Sequence, residues 1–523
     1  MRTCVHGLAA VFVVVLFLTS ACFAAPVSPD QAKQAVQGWL VLDQKPMGMD
    51  MQGSSAQSVA AHAVSDGDAA YYIVALSGGG FVAVAGDDLV EPIVGFQNDG
   101  SFDADPNNPL FALLEQDMRG RQAKARSMTG MDMSASAENG ANKRWATLLN
   151  AAAMAAQGVD LSVEMGEATI SDVRVASLVD SRWGQSTVGG ENTYNIYTPN
   201  NYVCGCVATA MSQLMRYHRF PVEGVGNNTI FSIKVDGEYQ HNWRFRGGDG
   251  SGGPYVWDDM PLVPDASTPL AQRQAISGLT LDVGLAVSMD YGNDGSGTNT
   301  LYAASMLPYF FGYANAIPGF NSGNNLEASA RNTMVNPNLD ADLPVLLGIT
   351  GTAGGHAIVC DGYGYDSSTM YHHLNMGWSG SDDVWYNLPA IDCDPAFTSV
   401  YKCVFNVFTD KTGEIISGRV LDADGNPVSG SLVVATSSTD GSKVTDVTNE
   451  KGVFGLVGVA SSTEYTVKPY HSGLSFVAQT VTTGDSGDSE SYTSSSGNVW
   501  GIDFTPVTAV DAAGAARNLL LLQ

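Results

Sequence analysis

One cysteine in this 523-residue chain stands where a nucleophile could be made, at the start of an amphipathic helix. Cys206 follows Gly205, and apolar residues at 207, 210, 211, 214 and 215 give a helical period that Pro221 ends. The N–H groups of a helix's first turn lack intrahelical partners and carry partial positive charge, so they favour thiolate over thiol. The alternative is a buried cysteine that only fills space in the core. Whether Cys206 is catalytic or structural depends on whether the chain contains other residues that could assist a nucleophile.

Residues that could assist this cysteine occur in three separate motifs. His356 lies about 150 residues after Cys206, a separation typical of papain-like enzymes, and an apolar run that predicts a buried strand follows it. In a Cys–His pair the imidazole takes the thiol proton and a third group orients the ring. Asn375 is the candidate orienting group, and Trp378 the candidate cover against water. Gln185 is a candidate donor to the oxyanion that forms when Cys206 attacks a carbonyl.

The order and spacing of these motifs resemble the streptopain family of secreted cysteine peptidases. The matching motifs are Gln185, Cys206-Val207-Ala208-Thr209-Ala210 with Tyr217-His218, Gly355-His356-Ala357, and Tyr371-x-His373-x-Asn375-x-Gly377-Trp378. The resemblance implies an α+β, papain-like two-layered fold. It also implies that Cys206 is the nucleophile, that His356 is the general base and acid, and that Gln185 belongs to the oxyanion hole.

Two residues depart from the streptopain pattern. Met376 stands where streptopain has a tryptophan, and Cys204 stands where streptopain has no thiol. Cys204 could trap Cys206 in a mixed disulfide or remain a simple buried thiol. These departures motivate the competing hypothesis of a weakly active or inactive papain-like scaffold, which would serve as an extracellular binding or adhesion protein.

The N-terminus has the features of a signal peptide, which we assign to residues 1–24. Arg2 precedes an apolar run over 8–18, and small residues surround a cleavage site after Ala24. The run is too short for a stable membrane span. Acylation of Cys22 is an alternative that the missing aliphatic residue three positions earlier disfavours. We therefore expect a secreted or cell-surface protein, with no stable membrane span.

The composition and motifs of the chain exclude several classes of binding partner. The 53 acidic and 25 basic residues give a net charge of -28, which argues against a nucleic-acid partner. The histidines have no Asp, Glu or Cys at zinc-ligand spacing, and no phosphate-cradling Gly-x-x-x-x-Gly-Lys motif occurs, so we expect neither a metal nor another cofactor. Protein or peptide substrates are the expected partners.

The region 25–168 resembles the streptopain propeptide, which implies an inhibitor of the protein's own peptidase. A helix is predicted from Ser28 to Leu40, a hairpin over 71–88, and a further strand over 92–96. A separate α+β binding domain is the alternative. Residues 119–145 are predicted to form an exposed link whose basic residues are cutting points, namely Arg119, Arg121, Lys124, Arg126, Lys143 and Arg144.

The predicted peptidase domain spans 169–410. After residue 410 the sequence pattern changes to one that predicts short strands and polar turns. Residues 414–507 resemble the carboxypeptidase regulatory-like, prealbumin-type β-sandwich, a mostly accessory module. Asp422 to Asn426 is predicted to be an ordinary turn and not a calcium loop, because it lacks the spacing and distal Glu of an EF-hand. Residues 508–523 form a C-terminal tail. Cys393 and Cys403 are the best candidates for a disulfide.

Overall fold

The computed structural model describes residues 25–63, 67–127, 140–159, 171–322, 324–351, 354–389 and 399–507. The predicted signal peptide, Cys393 of the predicted disulfide and the C-terminal tail lie outside the described residues. We refer to 25–159 as the N-terminal region, 171–408 as the central region and 414–507 as the C-terminal region.

The described helices lie in the N-terminal and central regions. The α-helices are α1 (Pro29–Leu42), α2 (Pro109–Ser127), α3 (Ala141–Ala156), α4 (Cys206–His218), α5 (Leu270–Ala286), α6 (Tyr302–Phe311) and α7 (Ala328–Asp340). Short 3-10 turns occupy Pro46–Gly48, Pro199–Asn201 and Trp257–Asp259. Helix α1 confirms the first predicted helix, and it begins with a capping box in which Ser28 and Gln31 satisfy each other's backbone N–H groups.

The strands occur in all three regions. The N-terminal region contains β1 (Ala56–His62), β2 (Tyr71–Leu76), β3 (Phe81–Ala85) and β4 (Ile93–Gln97). The central region contains β5 (Ser171–Val175), β6 (Thr187–Val188), β7 (Glu191–Asn192), β8 (Phe231–Val235), β9 (Glu238–Trp243), β10 (Asp290–Tyr291), β11 (Asn315–Phe320), β12 (Val345–Gly351), β13 (Gly354–Asp366), β14 (Thr369–Asn375), β15 (Val384–Tyr386) and β16 (Val400–Phe408). The C-terminal region contains β17 (Glu414–Arg419), β18 (Leu432–Ser437), β19 (Lys443–Val447), β20 (Val453–Val459), β21 (Glu464–Tyr470) and β22 (Gln479–Thr482).

A single large sheet joins the N-terminal and central regions. Its strand order is β1-β2-β3-β4-β15-β14-β13-β12-β16-β11, with β5 paired to one end of β13. The junction is antiparallel, and it sets Phe96 opposite Trp385 and Gly95 opposite Tyr386. The predicted hairpin is confirmed as β2 and β3, and the predicted next strand as β4. The edge of the N-terminal sheet is therefore completed by a strand of the central region.

The central sheet buries a different set of elements on each face. On one face, Leu347, Ile358 and Cys360 pack in the same core as residues of α1, α2 and α3. On the other face, Leu346 and Val359 pack in the core that contains α4 and α5. This alternation along β12 and β13 is what a strand with period two requires when both faces are covered.

The prediction of an exposed link over 119–145 is wrong at both of its ends. Residues up to Ser127 belong to α2, where Arg121 is 6% exposed and Ala125 is also buried. The four arginines among the basic residues that suggested a cutting site form ion pairs, and Arg121 pairs with Asp117 one helical turn away. The last residues of the predicted link are helical as well, because α3 begins at Ala141 and Trp145 is buried.

The C-terminal region is a small β-sandwich, as the sequence predicts. A two-stranded sheet, β17-β20, packs on a four-stranded sheet, β19-β18-β21-β22, around a core that includes Phe454 and Val433. The sandwich contacts the central region through Arg419, whose guanidinium donates to both carboxylate oxygens of Asp172 at 2.9 and 3.1 Å. Asp422 accepts backbone N–H groups of Asp424 and Asn426, which confirms the predicted turn.

Cysteines of the described residues are free thiols. Cys204, Cys360 and Cys403 are buried, and Cys206 is partly exposed. Within the described ranges we also find no helix that is both long enough and apolar enough to cross a bilayer.

Candidate active site

Helix α4 carries Cys206 at its first position, as predicted. Gly205 precedes it with φ of 89°, and a Cβ there would approach the Met289 side chain to 2.8 Å and the Ser296 carbonyl oxygen to 2.9 Å. Both the backbone angle and the space therefore require glycine at this position. The apolar face of α4 is buried, so the helix holds Cys206 rigidly at the surface of the core.

The strands opposite α4 carry His356 and Lys402. In the antiparallel register His356 faces Ile349, while Ala357, Gly348 and Lys402 lie side by side across β13, β12 and β16. A Cβ on Gly348 would come within 2.7 Å of the Lys402 side chain, so the lysine stem lies over the glycine. The absence of a side chain at position 348 lets Lys402 extend toward the strand that bears His356.

A cavity of about 910 Å³ separates these two layers. Four of the five predicted site residues line it: Gln185, Cys206, His356 and Trp378. Residues 293–298 and Tyr401 form other parts of its wall. A cleft of this size, lined by a thiol, an imidazole, an amide and an indole, suits a peptide segment, and it holds the groups that acyl transfer requires.

Burial and hydrogen bonding act in opposite directions on Cys206. Burial is the larger effect and raises the pKa of the thiol above its usual value, although the backbone N–H groups of Ala357, Val207 and Cys206 itself, together with the Lys402 cation, act to lower it. The pKa of His356 is lowered by burial, and its Nε2 atom is buried without a hydrogen-bond partner. His356 is therefore neutral at pH 7 and has a free ring nitrogen.

Cys204 is set apart from this chemistry. Its side chain is fully buried, and its Sγ atom lies 3.3 Å from Oγ1 of Thr209. Burial raises the pKa of the Cys204 thiol to about 12, so it stays protonated. The structure supports the simple buried thiol over the mixed disulfide.

Asn375 lies outside the cavity. Its Oδ1 accepts from Nε2 of Gln213 at 2.9 Å and from the N–H of Gly377 at 3.1 Å, and its Nδ2 donates to the Ser181 carbonyl at 2.8 Å. Within the described ranges no hydrogen bond joins Asn375 to His356. The predicted role of Asn375 in orienting His356 is therefore not seen in this arrangement. Asn375 is bonded instead to Gln213, a residue that the sequence reasoning did not single out.

Met376 does not line the cavity either. Its side chain is fully buried in the core shared with the N-terminal region, while its backbone N–H donates to Asp383 at 2.8 Å. The departure from the streptopain motif at this position therefore changes core packing and leaves the cavity wall to Trp378.

The N-terminal region reaches the cavity through the turn before α2. Asn107 is one of the residues that line the cavity. The next residue, Asn108, accepts the N–H of Leu110 at 2.8 Å and donates to the carboxylate of Asp382 in the central region. The Asn108–Asp382 contact is buried, so the turn is held against the central region beside Trp378.

Side chains that could ligate a metal are scattered over the described part of the chain. The described ranges contain no cluster of three or more His, Cys, Asp or Glu side chains that could hold a metal ion. The reactive groups of the cavity are a thiol and an imidazole, which can perform nucleophilic catalysis by themselves.

Lys402 offers a first prediction for the cavity. Because its cation lowers the pKa of Cys206, Lys402→Met should raise the pH needed to form the thiolate. We expect iodoacetamide to alkylate Cys206 about fivefold more slowly at pH 6, with the difference vanishing at high pH. Lys468→Met is the control. Lys402 lies over the ring of Tyr401, and Lys468 likewise lies over the ring of Tyr470, but in the distant β21. Equal pH profiles for both variants would contradict the electrostatic role.

A helix-borne thiol and a strand-borne imidazole that meet across a cleft between an α layer and a β layer define the papain-like cysteine peptidases. Residues 183–386 match the Peptidase C10 family, 24–121 match the Spi protease inhibitor, and 415–494 match the carboxypeptidase regulatory-like domain. The chain thus contains a peptidase domain of the C10, or streptopain, family, and it is a cysteine-type endopeptidase.

The chain is similar to known proteins over different shares of its length. Streptopain of Streptococcus pyogenes serotype M1 is 26% identical over 392 residues, which cover 71% of this chain and 88% of streptopain. The thiol protease/hemagglutinin PrtT of Porphyromonas gingivalis is 28% identical over 176 residues, 34% of this chain and 19% of that protein. Among solved structures, a prointerpain A fragment of Prevotella intermedia is 20% identical with a TM-score of 0.47, and covers 68% of this chain and 99% of its own.

Proposed function

We propose that the protein is a secreted peptidase made as a zymogen, in which Cys206 attacks the scissile carbonyl and His356 moves the protons. Cys206 Sγ would form a bond to the carbonyl carbon while its proton passes to His356. The imidazolium would then protonate the leaving amine as the C–N bond breaks, which leaves a thioester. Water would attack the thioester with His356 as base, and this releases the carboxylic acid and restores the thiol.

The observation that carries this proposal is the shared cavity of Cys206, His356, Gln185 and Trp378. In the proposed roles, the side-chain amide of Gln185 donates to the oxyanion of the tetrahedral intermediate, and Trp378 covers the reacting atoms from water. Asn375 acts in a supporting position behind the cavity.

The N-terminal region is proposed as the inhibitory propeptide. We place its limits at 25–168, with the peptidase at 169–410 and the accessory sandwich at 414–507. The contact of Asn107 with the cavity supports this assignment, as does the shared core between the two regions. A signal peptide over 1–24 would direct export, with soluble or surface-bound protein outside the cell as the result.

To test the proposal, the full-length chain is produced, and the protein is then processed, purified and reduced. We expect it to hydrolyse casein or gelatin, and we expect an epoxide of the E-64 type to abolish the activity while adding its mass to the peptide that contains Cys206. If processed protein with an intact Cys206 neither cleaves nor takes up the epoxide, the alternative of an inactive binding scaffold replaces the enzyme.

A further inference from the structure

A buried amide lies two helical turns behind the nucleophile and contacts the segment that ends in Gln185. Gln213 follows Cys206 by seven positions in α4, so both residues lie on the same side of the helix. Its side chain is fully buried. Its Oε1 accepts the N–H of Trp183 at 3.0 Å and the hydroxyl of Ser181 at 3.2 Å, and its Nε2 donates to Asn375 at 2.9 Å.

The segment 181–185 receives further hydrogen bonds from the same part of the chain. The hydroxyl of Thr209 in α4 donates to the Gly184 carbonyl at 3.0 Å, and the N–H of Cys204 donates to the Gln185 carbonyl at 2.9 Å. The segment has no regular secondary structure of its own. Its place relative to Cys206 therefore depends on these contacts with the nucleophile helix and its entry.

Asn375 connects the same segment to the strand that leads to Trp378. It donates to the Ser181 carbonyl, accepts from Gln213 and accepts the N–H of Gly377, so both the oxygen and the nitrogen of the amide have partners. Nearby, the N–H of Ser379 donates to the Trp183 carbonyl at 3.1 Å. The two amides thus join three elements that line the cavity: the nucleophile helix, the Gln185 segment and the Trp378 turn.

We propose that Gln213 is a positioning residue that, together with Asn375, sets the Gln185 amide at the distance from Cys206 that oxyanion binding requires. The inference rests on the proposed function, because it assumes that Gln185 serves the oxyanion. Gln213 touches neither the thiol nor the cavity. Its loss would therefore displace the oxyanion donor while Cys206 stays at the helix start.

Two reactions of the same thiol separate this role from a general structural one. Iodoacetamide alkylation forms the S–C bond as iodide leaves and creates no oxyanion. A peptide aldehyde adds to the thiolate and turns its carbonyl oxygen into an oxyanion, as amide hydrolysis does in its tetrahedral intermediate. A displaced Gln185 should weaken aldehyde binding and amide hydrolysis and spare alkylation.

The variant is Gln213→Met, which keeps the length of the side chain and removes its polar atoms. The full chain of each variant is processed by tagged wild-type enzyme, which is then removed. We expect kcat for a peptide amide to fall about 10- to 100-fold, aldehyde affinity to fall by a similar factor, and the alkylation rate to stay within about twofold. Gln213→Glu keeps the acceptor for the Trp183 N–H and loses the donor to Asn375, so its kcat should lie between those of the wild type and Gln213→Met.

Asn338→Leu is the matched control. Asn338 is a fully buried amide that accepts from the backbone of Asn406 and donates to its side chain, and it joins α7 to β16 away from the segment 181–185. We expect normal kinetics from this variant at temperatures where it is folded. Equal losses in alkylation and hydrolysis for Gln213→Met, or no loss in either, would overturn the positioning role. Wild-type enzyme that neither alkylates nor cleaves would overturn the proposed function itself, and this inference with it. If Gln213→Met does not fold, Gln213→Glu decides by the same comparison.

Discussion

Cys206→Ala is expected to abolish peptide-bond hydrolysis and to leave the protein at full precursor length. The alanine side chain has no atom that can form the thioester, so kcat should fall by at least about 10⁴-fold, with only the remaining binding groups to accelerate reaction with water. We expect the peptidase itself to make the first cut, so the N-terminal region should stay attached in this variant. Gel mobility, intact mass and casein hydrolysis measure the three consequences.

Cys204→Ser is the control for this substitution, since it alters the thiol two residues away. The serine hydroxyl can keep the contact that Cys204 makes with Thr209, so activity should stay within about tenfold of the wild type. Residual hydrolysis by pure Cys206→Ala would contradict the assignment of the nucleophile. Normal maturation of Cys206→Ala in the producing cell would instead show that another protease makes the cut.

Local sequence patterns were sufficient for the parts of the site that depend on one element. The helical period after Gly205 predicted α4, and the glycines and apolar run around His356 predicted β13. That Cys206 and His356 share one cavity was expected from their separation, which is typical of papain-like enzymes, and from the resemblance to the streptopain family, and not from either element alone. The β2–β3 hairpin could be predicted for the same reason, because its turn and its two apolar runs are adjacent in sequence.

The role of Asn375 could not be predicted in this way. The residue lies at the end of β14, but its partners come from α4 and from the irregular segment at Ser181, more than 160 positions earlier. No periodic signal links such positions, because an amide can accept and donate in many directions. Gln213 gave no signal either, since a glutamine in a helix usually faces solvent.

Long-range contacts also explain why the predicted link includes residues that are helical and buried. The basic residues of 119–127 suggest a solvated segment, yet α2 packs on β12 and is buried over much of its length. Local patterns also cannot predict the pairing of β4 with β15, because the two strands lie nearly 300 positions apart in the chain. Hydrophobic period identifies the strands, whereas their partners depend on the assembled sheet.

Arg121→Ala is expected to loosen the N-terminal region from the peptidase more than any surface substitution. The Arg121 guanidinium donates to both carboxylate oxygens of Asp117 and to the Asn387 side chain at 2.8 Å, while the Tyr386 hydroxyl donates to Asp117 at 2.6 Å. Removing the arginine leaves the carboxylate of Asp117 buried without its counter-ion. Breaking such a pair costs about 3–5 kcal/mol of the free energy of unfolding, because the remaining charge is not solvated.

Arg119→Ala tests whether burial, and not the loss of a cation, is responsible. Arg119 pairs with Glu115 at the same i,i+4 spacing in α2, but its side chain is 42% exposed, so its loss should cost less than about 1 kcal/mol. Both changes are made in Cys206→Ala protein, and the urea concentration at which trypsin begins to cut the N-terminal region is measured. Arg121→Ala should lower this urea concentration clearly, whereas Arg119→Ala should leave it nearly unchanged.

In protein with an intact Cys206, the weaker attachment of the N-terminal region in Arg121→Ala should speed maturation, because Asn107 would leave the cavity more often. Indistinguishable urea thresholds for the two variants would show that this buried pair does not hold the inhibitor in place.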